Sequence, residues 1–164
     1  MPISAYLKRL RGFVGHDRLL IPGAATLILD SSGRVLLQRR RDNGEWGMIG
    51  GATDPGEHPA QTAVREAYEE TGLRVRPERL LGVLLFQHSY PNGDELEMTV
   101  SVFRCSVLGG QLRPLDGESL ELDWFSPDAL PDSRDVNRYP AWMFYPEEAS
   151  AHFAWDEAWL PDPA

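Results

Sequence analysis

The segment Gly51–Leu73 reads GATDPGEHPAQTAVREAYEETGL and joins a loop rich in turn-forming residues to a short acidic helix. Pro59 suits the first position of a helix, because the N–H group that proline lacks would have no helical partner there. Gly72 suits the position just after a helix, where a left-handed backbone favours glycine. The sequence therefore predicts a helix from about Pro59 to Thr71, and the rest of the chain is best understood around it.

Three glutamates of this helix, Glu66, Glu69 and Glu70, project to one side. With a turn of about 100° per residue, they fall within an arc of roughly 100° beside small apolar residues. Repulsion between them and the helix dipole each disfavour this arrangement by a few tenths to about 1 kcal/mol. A divalent cation would reverse both effects, and oxygen-only ligands favour Mg²⁺ or Mn²⁺ over zinc. The alternative is a solvated acidic face neutralised by Arg65 and Arg74.

The spacing of these residues resembles the signature of the Nudix hydrolase family, G-x5-E-x7-R-E-u-x-E-E-x-G-u, in which u is apolar. The matching positions are Gly51, Glu57, Arg65, Glu66, Ala67, Glu69, Glu70, Gly72 and Leu73. The resemblance covers about Pro22 to Leu130. The family commonly has Pro-Gly-Gly before this segment, whereas this chain has Ile49-Gly50-Gly51, a change in the loop that leaves the carboxylates in place.

The resemblance implies an α/β (α+β) fold with a mixed sheet sandwiched between helices, and we expect residues 1–164 to form one domain. It implies a Mg²⁺- or Mn²⁺-dependent hydrolase that cleaves the diphosphate linkage of a nucleoside diphosphate joined to another moiety. The substrate would be a nucleotide, a nucleotide sugar, a dinucleoside polyphosphate or a nucleoside triphosphate. The alternative is a non-catalytic domain that binds a nucleotide or ADP-ribose on the same scaffold.

The resemblance also implies roles for single residues. Carboxylates that would bind metal and act in catalysis are Glu66, Glu69 and Glu70. The carbonyl of Gly51, or that of Gly50, would add a metal ligand. Arg65 would orient the carboxylates through a salt bridge, and Glu57 would support the loop or the Arg65 contact.

The general base is either a glutamate of the helix or one on a later loop. In Gly117-Glu118-Ser119 we favour Glu118 as a catalytic residue and metal ligand, and Glu121 is the second candidate. Without any function, Asp116–Ser119 is also a good turn sequence.

Candidate substrate-binding residues lie on both sides of the acidic segment. In the run Arg39-Arg40-Arg41, Arg39 and Arg41 are the predicted phosphate contacts, and the alternative is a charged strand end that discourages strand pairing. Tyr90 resembles the tyrosine marker of dinucleoside polyphosphate hydrolases, although Tyr90–Gly93 also suits a plain hairpin loop.

Composition limits the classes of partner. The formal net charge of -9 argues against a nucleic acid, whose binding depends on Lys and Arg, but not against a small nucleotide. Cys105 is the only cysteine in the 164 residues, so no intrachain disulfide can form and a cytoplasmic location is expected. No run approaches the roughly 18 apolar residues of a membrane span.

Outside this segment, hydrophobic patterns predict further elements. Residues 1–21 hold an amphipathic helix, and the aromatic residues of 139–164 indicate packing over a sheet or across a homodimer interface. Glu147–Trp159 is a further helix candidate. We expect a hairpin of Ala24–Asp30 with Val35–Arg39, and a turn at Gly109-Gly110. Other predicted strands are Arg79–Gln87, Leu96–Val107 and Leu120–Phe125.

Overall fold

Two helices and seven strands make up the regular structure of the described residues, which in this computed structural model are 5–90, 92–145 and 155–161. The α-helices are α1 (Ala5–Val14) and α2 (Pro59–Thr71). The strands are β1 (Leu19–Ile28), β2 (Val35–Arg40), β3 (Trp46–Gly47), β4 (Ile49–Ala52), β5 (Leu73–Ser89), β6 (Glu95–Gly110) and β7 (Ser119–Phe125). Short 3-10 turns are Pro127–Ala129, Val136–Arg138, Ala141–Phe144 and Glu157–Trp159.

The strands form a four-stranded sheet in the order β4-β1-β6-β5 and a three-stranded sheet in the order β3-β2-β7. Strands β1 and β6 run parallel, and the other pairs are antiparallel. Helix α2 covers one core, and the 3-10 turns between 136 and 144 cover a second. The predicted mixed sheet in an α+β fold is therefore confirmed.

The predicted hairpin of β1 and β2 is wrong. These strands lie in different sheets and share a single bridge, between Leu29 and Val35. Each strand sends alternate side chains into both cores, so each needs cover on both faces. Strand β1 pairs with β4 and β6, and β2 pairs with β7, all distant in sequence. The other partner of β2 is β3, which follows it closely in the chain.

The predicted turn at Gly109-Gly110 is also wrong, because both residues pair with the start of β5 as the last residues of β6. Strand β5 begins directly after α2, so it is longer than the predicted Arg79–Gln87. In the polar segment 131–138, Val136 is buried within a 3-10 turn.

Helix α2 has the predicted limits, and its packing follows from its small side chains. Ala60, Ala63, Val64 and Ala67 are buried against the sheet. Side chains of this size let the helix axis lie close to the strands. Gly72 ends the helix with a φ of 70°, and its N–H donates to the carbonyl of Tyr68.

The two terminal segments pack on this framework. The predicted N-terminal helix is present as α1, where Arg11 donates to the carbonyl of Glu95 at 2.6 Å. Of the predicted C-terminal helix, 147–154 lie outside the described residues, and Glu157–Trp159 is a 3-10 turn. Trp159 stacks on His58 at the start of α2, with ring centroids 5.2 Å apart. Within the described residues, no helix combines the length and apolarity that a membrane crossing requires.

Replacing Gly72 with alanine is expected to lower the free energy of unfolding by about 1 to 3 kcal/mol, the usual strain of a left-handed non-glycine residue. The added Cβ would also lie 2.5 Å from the carbonyl oxygen of Gln111. Urea unfolding followed by circular dichroism measures the change. The matched control is Gly12→Ala in α1, where nothing lies within 4 Å and alanine should be neutral or stabilising. Equal losses in both variants would contradict the proposed strain.

Candidate active site

Glu70 lies at the end of α2 with only 2% of its surface exposed. Its Oε2 accepts a hydrogen bond from the Gly50 N–H at 2.9 Å. Burial raises the pKa of Glu70 well above its usual value, repulsion from Glu66 adds to this, and hydrogen bonds from Gln38 and Gly50 oppose it. A buried carboxylate with this environment is a candidate functional group.

Arg65 connects the acidic loop to the acidic helix. Its Nε donates to Glu57 at 2.8 Å, and its Nη1 donates to Glu66 at 2.7 Å and to Glu69 at 3.2 Å. Its Nη2 also donates to the carbonyl of Ala52 at 2.9 Å. Burial raises the pKa of Glu66 to about 7, against the opposing attraction of Arg65. The structure thus contains the Arg65 salt bridges that the sequence led us to expect.

A second loop is fastened to the end of α2, where helix carbonyls have no partner within the helix. The N–H groups of Leu115 and Asp116 donate to the carbonyl of Glu69 at 3.0 and 3.1 Å. The N–H of Arg113 donates to the carbonyl of Thr71 at 2.9 Å. These bonds hold the loop before β7 beside the buried glutamate.

As a result, three carboxylates from two distant parts of the chain come together. Glu70, Asp116 and Glu118 each place an oxygen within 4.8 Å of the other two. They line a cavity of about 300 Å³ together with Gln38, Arg40, Arg41, Asp42 and Gly117. An all-oxygen set that includes one buried carboxylate suits a hard cation such as Mg²⁺ or Mn²⁺.

The other carboxylates predicted for the site, and Gly51, are not part of this three-carboxylate cluster. Glu66 and Glu69 are bound by Arg65, with Glu66 buried and Glu69 exposed. Gly51 is buried in β4, and a Cβ on Gly23 would lie 2.8 Å from its carbonyl oxygen. Glu121 is exposed on β7.

The predicted substrate contacts are divided between the cavity and the surface. Arg41 lines the cavity. Arg39 is exposed and pairs with Glu121 at 3.5 Å. Tyr90 lies outside the cavity lining and stacks on His88, with ring centroids 5.8 Å apart.

Sequence reasoning missed Asp116 and Arg40 as residues of the cavity. Asp116 begins the turn sequence Asp-Gly-Glu, which places two carboxylates close together. The sequence therefore contained a signal for Asp116. Arg40 donates to both carboxylate oxygens of Asp42, at 3.1 and 2.7 Å. No local pattern distinguishes it from the arginines on either side.

Comparison with known proteins agrees with the signature. Residues 19–145 match the family model described as NUDIX domain. The chain is 35% identical over 109 residues to a putative 8-oxo-dGTP diphosphatase of Bacillus subtilis, covering 66% of this chain and 68% of that protein. It is 33% identical over 129 residues to an ADP-ribose pyrophosphatase of Methanocaldococcus jannaschii, covering 76% of this chain and 70% of that protein.

A solved structure shares the fold. The crystal structure of an ADP-ribose pyrophosphatase from Streptococcus suis superposes with a TM-score of 0.60 at 25% identity, covering 76% of this chain and 87% of that one. The chain spans about two thirds of the length of the curated relatives described above. The family match over most of the chain and the complete signature in Gly51–Leu73 show that this protein belongs to the Nudix hydrolase family.

Proposed function

We propose that the protein is a divalent-metal-dependent hydrolase that cleaves the diphosphate linkage of a nucleoside diphosphate joined to another moiety. The observation that carries this proposal is the cluster of Glu70, Asp116 and Glu118, within 4.8 Å of one another at the end of the signature helix. Relatives named as a diphosphatase and a pyrophosphatase support the same bond type.

Glu70, Asp116 and Glu118 are the residues that would hold Mg²⁺ or Mn²⁺, with Glu66 and Glu69 beside them. Such an ion, when bound, supplies positive charge that neutralises diphosphate oxygens and makes water a better nucleophile. Glu70 is enclosed, whereas Glu118 is half-buried at the cavity. Glu118 is therefore the carboxylate that we favour to accept the proton of the attacking water.

The chain positions these groups before any substrate arrives. Arg65 holds Glu57 and Glu66, and it also ties the helix to the carbonyl of Ala52 on β4. This network limits the rotamers of the acids and partly offsets their repulsion. Preorganised carboxylates favour the transition state because they need little rearrangement during the reaction.

The substrate is a nucleotide whose diphosphate lies at the cavity. At about 300 Å³ the cavity is at the lower end of ligand-site sizes, so it accommodates part of a nucleotide and leaves the remainder over the surface. Arg40 and Arg41 provide positive charge at its edge. An 8-oxo-dGTP-like triphosphate and ADP-ribose are the first substrates to test, because relatives carry those names.

Three wider predictions belong to this proposal. We take 1–164 as one domain, supported by the Arg11–Glu95 contact between α1 and β6. We take the location as cytoplasmic, supported by the single buried thiol of Cys105. We take the active form as a homodimer, supported by Phe13, which α1 leaves 81% exposed. A monomeric mass by light scattering at micromolar concentration would contradict the predicted homodimer.

Glu70→Gln is expected to lower metal-dependent turnover by more than about 100-fold, the upper range for residues that only support a metal site. The glutamine keeps the size and an oxygen for the Gly50 N–H but removes the charge. A panel of 8-oxo-dGTP, ADP-ribose, a nucleotide sugar and a dinucleoside polyphosphate, with Mg²⁺ or Mn²⁺, identifies the bond that is cut.

The matched control is Glu78→Gln, since Glu78 pairs with Arg104 on β6 and lies outside the cavity lining. This variant should keep wild-type activity. Wild-type activity in Glu70→Gln would overturn the site assignment. If the wild type is thermally stabilised by nucleotides but cleaves none of them, the non-catalytic alternative is correct.

In EDTA, the protein is expected to lose stability as the pH rises from about 4.5 to 7. The pKa of Glu66 is about 7 in the fold and 4.5 without it, so the folded state holds more protons in this window. Glu70 acts in the same direction, because burial raises its pKa too. Thermal unfolding across pH measures the effect, and Glu70→Gln should reduce it. Unfolding temperatures that rise with pH through this window would contradict the burial of these acids.

A further inference from the structure

The turn that carries Glu118 is held from two sides. The end of α2 holds its first part, through the two N–H groups that donate to the carbonyl of Glu69. Arg41, the residue after β2, holds its last part. The backbone N–H of Arg41 donates to the carbonyl of Glu118 at 2.8 Å, and its side-chain Nε donates to the carbonyl of Gly117 at 2.5 Å.

We propose that Arg41 is a positioning residue that fixes the Gly117–Glu118 turn, so that the Glu118 carboxylate lies with those of Glu70 and Asp116. The proposal rests on the proposed function, because it takes the three carboxylates as the metal site. It gives Arg41 a role different from the substrate contact predicted from its sequence position.

Hydrogen bonds rather than apolar packing fix the turn, and Ser119 at its end adds a bond to Gln38 at 2.6 Å. Leu115, Asp116 and Gly117 are exposed, so burial of apolar surface does not hold them in place. Gly117 has a φ of 74°, and nothing surrounds the position where its Cβ would be. Within the turn, Asp116 accepts the N–H of Glu118 at 2.9 Å. Hydrogen bonds therefore determine the direction of the Gly117 and Glu118 peptides, and Arg41 supplies two of them.

A competing role for Arg41 is electrostatic. Arg41 lines the cavity, and its positive charge would attract a substrate phosphate. When no nucleotide is present, the two roles predict opposite changes in cation affinity on removal of the Arg41 side chain. Removing a nearby positive charge should tighten cation binding to three carboxylates, because it removes a repulsion. Removing a positioning hydrogen bond should weaken cation binding, because Glu118 then leaves the cluster for part of the time.

The test measures Mn²⁺ binding to the nucleotide-free, 164-residue protein by electron paramagnetic resonance. The variants are Arg41→Met, Glu118→Gln and the double variant. Arg34→Met is the matched control, since Arg34 pairs with Asp30 at 2.7 Å on the exposed surface after β1. The Mg²⁺ dependence of kcat and the KM for nucleotide are measured in parallel, and circular dichroism checks the fold of each variant.

We expect Arg41→Met to weaken Mn²⁺ binding about 10-fold, the lower range for residues that support a metal ligand. Glu118→Gln should weaken it at least as much. The double variant should bind Mn²⁺ with the same affinity as Glu118→Gln alone, because the effects of two residues that act through one another are not additive. The control should bind Mn²⁺ like the wild type.

Gly117→Ala provides a second test of positioning, and it leaves every charge in place. Its Cβ meets no neighbour, but the left-handed backbone becomes strained, so the turn should shift and Mn²⁺ binding should weaken. Weaker binding in both Arg41→Met and Gly117→Ala supports positioning.

Unchanged or tighter Mn²⁺ binding in Arg41→Met overturns the proposal, as does multiplication of the two single effects in the double variant. An increase confined to the KM for nucleotide would assign Arg41 to the substrate instead. These failures differ from failure of the proposed function, in which the wild type neither binds Mn²⁺ nor cleaves a diphosphate.

Discussion

Burial of the Glu70 carboxylate at the end of α2 is the constraint on which the rest of this structure depends. A charged group that leaves water must be hydrogen-bonded or paired, or its pKa must shift. Here the N–H of Gly50 and the side chain of Gln38 form hydrogen bonds with the Glu70 carboxylate, and burial nevertheless raises its pKa. Strand β4, strand β2 and α2 must therefore all be in place before this carboxylate is accommodated.

The same burial makes the acidic residues of the site unfavourable for stability. The acids stand where the helix dipole favours cations, and the pKa of Glu66 rises to about 7 on burial. Arg65 relieves part of the repulsion, and a cation would relieve more. Neutral residues in their place would remove this repulsion, as expected of a site where stability yields to function.

The loop before β7 converts the signature helix into a three-carboxylate site. Unpaired carbonyls at the helix end accept N–H groups from this loop, which satisfies the helix and places Asp116 in one arrangement. The β2–β7 ladder, which pairs Arg40 with Ser119, brings the other end of the loop to the same place. Ser119 adds a buried hydrogen bond to Gln38 at 2.6 Å, so the residue after Glu118 is tied to the strand that supports Glu70.

Much of the fold and part of the site followed from local signals. The limits of α2 depend on Pro59 and Gly72, and the direction of its acids depends on helical periodicity, so neighbouring residues were sufficient. Local signals failed for the β1–β2 hairpin, because both strands are buried on both faces and lie in different sheets. They also failed for Asp116 and for the contact between Arg41 and Gly117, which join residues far apart in the chain.

The sequence by itself determined the helix, its three glutamates, the supporting arginine and hence the family. Short-range backbone preferences and the spacing of a few side chains carry that information. Only the tertiary structure decided which of those acids meets Glu118 and which is bound by Arg65. The physical reason is that strand pairing and loop docking set these distances, and both depend on the burial of the whole chain rather than on neighbours in sequence.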